Sequence, residues 1–168
     1  MLRRICLLAG VVLFMSLSAS AQSLTDKVEV FGGYSFLHAD TSPSFNTNGW
    51  EIAGHYKLFP WLGAAADIDG HYGTIQGVHA HLNNYLFGPQ VSLPMRVSPF
   101  AHALFGTAHF GGAGVSNSSF ASGFGFGIDT GVAPFIAWRI VQFDLIHSHL
   151  FSTGQNNTRL STGIVFRF

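Results

Sequence analysis

Cysteine, charge and long apolar runs are what this sequence has least of. A single cysteine, Cys6, stands near the start of 168 residues, so nothing after it can rely on disulfides or a thiolate metal site. Charged residues make up 10% of the chain, against roughly 25% in an ordinary soluble domain. No basic stripe exists, which removes nucleic acid as a partner. Beyond Met15, no apolar stretch approaches the roughly 20 residues that a membrane helix needs. Yet 48% of the chain is hydrophobic and 14% is aromatic. A chain with that balance must either hide a large core or face lipid through alternate residues.

The first residues read as an export signal. Arg3 and Arg4 precede a short apolar run, Ile5 to Met15, and Ala19-Ser20-Ala21 supplies an A-x-A cleavage pattern. The expected organisation is a signal peptide over 1–21 and one domain over 22–168. Cys6 lies inside the apolar run, away from the cleavage point, so a lipoprotein anchor is not expected. Without Arg3 and Arg4, six basic residues stand against eight acidic ones.

Eight segments carry strand character, at about 27–38, 48–58, 63–72, 82–93, 97–109, 119–132, 139–151 and 159–168. In the last, Leu160, Thr162, Ile164, Phe166 and Phe168 share one face, and Arg159, Ser161, Gly163, Val165 and Arg167 the other. In the sixth, Phe120, Phe124, Phe126 and Ile128 oppose Gly123, Gly125, Gly127 and Asp129. The second sets Trp50, Ile52, Tyr56 and Leu58 against Glu51, His55 and Lys57. The third sets Ala64, Ala66, Ile68 and Tyr72 against Asp67, Asp69 and His71. The seventh sets Val141, Phe143 and Leu145 against Gln142 and Asp144. Segments four and five leave their faces open, and Pro89 should cost a ladder hydrogen bond.

Connections alternate in kind. Tight links with proline (59–61, 94–99, 134–138) join strands two to three, four to five and six to seven. Polar stretches rich in Gly, Ser and Asn (39–47, 73–81, 111–118, 152–158) make the others. Short turns at one end and looser loops at the other describe an up-and-down meander. A soluble sandwich or lipocalin-like barrel would share the alternation with the faces reversed. The polar face is too sparse to coat a soluble surface, however. Aromatics also cluster at strand ends like interfacial girdles: Phe59, Trp61, Phe100, Phe135 and Trp138 at one end, Tyr34, Trp50, Tyr72, Tyr85 and Phe151 at the other. The expected fold is all-β, a closed eight-stranded antiparallel up-and-down transmembrane barrel.

The ending Gly163-Ile164-Val165-Phe166-Arg167-Phe168 resembles the C-terminal β-signal of outer-membrane proteins. With the export signal and the Phe31–Phe36 opening of strand one, the chain resembles the small outer-membrane β-barrel proteins, whose best-known members are the transmembrane domain of OmpA and OmpX. The resemblance implies that Ile164, Phe166 and Phe168 are read by the barrel-assembly machinery during insertion. It also implies a monomer surrounded by outer-membrane lipid and lipopolysaccharide, with no cofactor and no periplasmic domain after the barrel. The implied role is structural, or contact at the cell surface.

Eight strands enclose only enough space for their own side chains. The inward set holds Glu29, Glu51, Lys57, Asp67, Asp69, Asp129, Asp144, Arg159 and Arg167, with His55 and His102 beside them. Opposite charges in so narrow a lumen must pair, with Gly123, Gly125 and Gly127 making room, so no diffusion pore is expected. A narrow solute channel is the alternative. Nine histidines include two His-x-His pairs, His79/His81 and His147/His149, and residues two apart on a strand share a face and can chelate a metal. Together with His38, His71 and His109 these fall near the loop end, where a histidine is more simply an interfacial residue. A lipid A-modifying enzyme is a further alternative. Deacylases of that kind carry His-x-Ser on one face, whereas His147 and Ser148 are adjacent and face opposite ways, so no catalytic residue is assigned.

Overall fold

The computed structural model describes residues 27–40, 44–75, 78–112, 114–149 and 154–168. The signal peptide expected over 1–21 and the girdle residue Phe151 lie outside them. Eight strands follow in chain order: β1 (Val28–Ala39), β2 (Phe45–Phe59), β3 (Leu62–Ile75), β4 (Val78–Ser92), β5 (Val97–Gly112), β6 (Val115–Ala133), β7 (Ile136–Ser148) and β8 (Gln155–Arg167). Each pairs antiparallel with its neighbours, and β1 pairs with β8 from Glu29↔Arg167 to Ala39↔Asn157, closing the barrel. Closure leaves no ladder groups unpaired at an edge, the condition for a sheet in hydrocarbon.

The faces are inverted relative to a soluble barrel. Phe124, Phe126 and Phe166 stand on the exterior at 56%, 60% and 45% exposure, while Glu51, Asp69 and Arg159 are fully buried inside. Tyr34, Trp50, Tyr72 and Tyr85 project outward at the loop end, and Phe59, Trp61, Phe135 and Trp138 at the short-turn end. Phe100 does not join them. It is buried in the lumen, on the same face of β5 as Ser98, His102 and Leu104. The room comes from Gly127 on the paired strand, where an added Cβ would lie 2.5 Å from the Phe100 ring.

The strands run further than the polar composition at their loop ends suggests. β2 begins at Phe45, β3 reaches Ile75, β4 starts at Val78, β5 runs to Gly112 and β6 starts at Val115. Most of the stretches at 73–81 and 111–118 is therefore strand, for example Gly111↔Ser116 and Phe110↔Asn117. Polarity marks a solvated side chain, and does not end a strand whose neighbour still offers a hydrogen-bonding ladder. Gly114 completes the β5–β6 turn at φ +76°, where a side chain would be strained. The β4–β5 ladder has paired residues at Phe87↔Phe105 and again at Gln90↔His102, interrupted over Gly88 and Pro89. The register is kept across the interruption, as a proline without an N–H allows.

β7 carries an irregularity within its span that changes a face. Arg139 points inward, Ile140 and Val141 both point outward at 43% and 41% exposure, and Gln142 returns to the lumen. A bulge sits there, marked by register shifts against both β6 and β8. The extra residue re-phases the strand, so Arg139 and Asp144 share the lumen despite unlike parity.

Candidate functional site

The lumen is filled in three tiers. At the short-turn end Glu29 gathers Lys57 at 2.7 Å, Arg167 at 3.0 Å and His55 at 3.1 Å. Beside it Arg139 forks onto Asp129 (Nε–Oδ1 2.8 Å, Nη2–Oδ2 3.1 Å) and donates to Gln142 at 2.5 Å. The Phe31 and Phe100 rings flank its guanidinium at 4.2 and 4.3 Å, a desolvated geometry in which cation–π attraction is strongest.

Arg159 occupies the middle. Its guanidinium takes both Asp67 oxygens at 2.8 Å, reaches Asp69, and bonds Asp144 Oδ2 through Nε at 3.0 Å and Nη2 at 2.9 Å, with Glu51 at 3.5 Å. Asp67 and Asp69 belong to β3 on the far wall, so one side chain ties opposite strands across the barrel. The remaining carboxylate oxygens find donors. Asn84 donates to both oxygens of Asp69 (2.9 and 3.1 Å), Gln142 donates to Glu51 (2.9 Å) and Asp144 (2.8 Å), and the Ser161 hydroxyl bonds Glu51. His102 Nε2 meets Asp144 Oδ1 at 2.6 Å across β6, because the residue between them is Gly125.

Towards the loop end apolar side chains take a larger share. Leu37, Ala39, Leu82, Leu86, Leu104, Ala108, Ala121 and Ile146 form one buried cluster, with Phe45 and Phe110 packed against it. Buried Thr47, Ser148 and Asn157 stand on positions paired with this cluster.

All nine charged residues read from the sequence as a lumen network point into the barrel, with Lys57 the most exposed. Sequence reasoning missed Arg139, because a strict alternation that places Val141 outward also sends Arg139 outward. It also placed His71 at the rim. His71 is buried, with Nδ1 3.1 Å from Asp69 and Nε2 3.0 Å from the Ser35 hydroxyl. That Ser–His–Asp order has the connectivity of a hydrolase triad. All three side chains are fully enclosed, however, so no substrate reaches them and the order acts as packing. At the outer rim, His147 and His149 lie with ring centroids 4.7 Å apart, and the His81 ring is 6.3 Å from His109. Among the described residues no group of three or more His, Cys, Asp or Glu is arranged to hold a metal ion. Ile164, Phe166 and Phe168 all face outward.

A closed eight-stranded barrel with an apolar exterior and a polar, packed interior has the fold of the small outer-membrane β-barrels. Solved structures that share it include the following three. The Neisserial surface protein A is 17% identical, with 84% of this chain and 97% of that one covered at a TM-score of 0.69. The outer-membrane protein OprG from Pseudomonas aeruginosa is 10% identical, over 88% and 98%, at 0.61. Ail, the attachment invasion locus protein of Yersinia pestis, is 16% identical, over 84% and 99%, at 0.54. No family profile and no curated protein sequence matches the chain.

Proposed function

We propose that this protein is an integral outer-membrane barrel with a sealed lumen, whose role lies in envelope structure or in contact at the cell surface. The observation that carries the sealed lumen is Arg159 bound to carboxylates on opposite walls, beneath an apolar layer of Leu37, Leu82, Leu104 and Ile146. The outer-membrane address rests on the inverted faces and on the shared fold. Surface contact is supported by one of the similar structures, which is named an attachment invasion locus protein.

In this reading residues 1–21 direct export and are removed, and 22–168 form the barrel. Both chain ends lie with the short turns on the periplasmic side. Ile164, Phe166 and Phe168 are presented to the barrel-assembly machinery, and the loop-end rim meets lipopolysaccharide. The protein is not an enzyme.

Two measurements test this reading. The protein should fractionate with the outer membrane and show a heat-dependent shift in electrophoretic mobility, and the mature chain should begin at Gln22 by mass. In planar bilayers it should leave the baseline conductance unchanged. Stepwise single-channel currents would overturn the sealed lumen, and recovery from the soluble periplasm would overturn the address.

A further inference from the structure

The loop-end rim holds histidines where other barrels could place lysine or arginine: among the described residues, every Lys and Arg lies in the lumen or at the short-turn end. Three of these histidines use one device. Nδ1 of His38, His109 and His147 meets a side-chain oxygen on the directly paired residue of the next strand, Asn46 at 2.6 Å, Ser118 at 2.7 Å and Asn156 at 2.7 Å. The Asn156 carbonyl oxygen can only accept, so the proton of neutral His147 sits on Nδ1 and Nε2 keeps its lone pair free. That is the tautomer a metal requires, fixed by a partner behind the ring.

At His147 the freed nitrogen meets a second imidazole. His149 lies two residues on along the same face, and its ring stands at 81° to that of His147 with centroids 4.7 Å apart. Both rings border Gly154, where a Cβ would lie 3.5 Å from His147 Cε1 and 3.9 Å from Nε2 of each histidine.

We propose that His147 and His149 form a two-imidazole site for a borderline divalent transition metal: Zn²⁺, Ni²⁺ or Cu²⁺. Neutral imidazole suits these ions, whereas Mg²⁺ and Ca²⁺ take oxygen ligands. A Zn–N bond of about 2.0–2.1 Å puts the ion between the two imidazoles. Water completes the shell, leaving open positions for an outside donor.

The test uses untagged full-length protein in detergent, stripped with EDTA and titrated with Ni²⁺ by calorimetry, with Cu²⁺ paramagnetic resonance to count nitrogen ligands. The expected result is one equivalent bound and two nitrogens on copper. Affinity should fall at least tenfold in His149→Ala, leaving one nitrogen on copper. Asn156→Leu should weaken binding several-fold by releasing the tautomer, and His81→Ala should stay within twofold of the parent. Absence of binding, unchanged affinity in His149→Ala, or loss in His81→Ala instead, overturns the site. Heat-dependent mobility reports that each variant is folded.

Discussion

Arg159 is a single cation among Glu51, Asp67, Asp69 and Asp144, all buried. Breaking a buried ionic group by removing one partner costs about 3–5 kcal/mol, because the charges left behind have neither water nor a counter-ion. Arg159→Met should therefore lower the unfolding free energy from urea titration by that amount at neutral pH, and a value within error of the parent would mean the network is dispensable. Gly125 works by lacking a side chain. A Cβ there would lie 2.6 Å from His102 Nε2 and closer still to Asp144. Gly125→Ala should separate that pair and destabilise by about 1–3 kcal/mol, as overpacking and a lost buried hydrogen bond do. A Gly123→Ala control, where the nearest atom is Leu86 Cδ1 at 3.3 Å, should cost less. The same unfolding curves compare the two.

Strand by strand, most of the pattern was readable because one solvent boundary acts on every second residue. RLSTGIVFRF alternates without a break and so does the structure, from Arg159 inward to Phe168 outward. Reading by parity fails where the backbone adds a residue: the bulge at Ile140 and Val141 has no marker in a sequence of two ordinary β-branched residues, and it hid Arg139. Segments four and five were open for a different reason. Their inward faces mix Leu86, Leu104 and Phe100 with His102 and Gln90, because part of the lumen is apolar. Strand ends were misjudged where Ser, Asn and Gly continue a paired ladder. Deleting Ile140 makes the bulge testable. Strict alternation would then keep Arg139 inward, Val141 outward and Gln142 inward with no extra residue, and Asp129 keeps its partner. The deletion should retain more than half of the heat-shifted band in unheated samples; its loss would mean that β7 needs the bulge itself.

At the scale of the whole barrel, the proposed seal makes the apolar cluster around Leu37 and Leu82 the barrier to ions. Converting Leu37 and Leu82 together to serine should let water enter, since hydrophobic constrictions close by dewetting. Brief conductance steps absent from the parent are expected in planar bilayers, and silence in the double variant would place the barrier in the Arg159 network instead. The seam between β1 and β8 has a consequence of another kind. Glu29 and Arg167 are neighbours in space, as a ladder pair and an ion pair, yet almost the whole chain separates them. The first strand made must wait, its greasy side uncovered, until the last one arrives. Assembly is therefore a race between that arrival and stray association, and shortening the chain by one hairpin would leave the first strand with nothing to zip against.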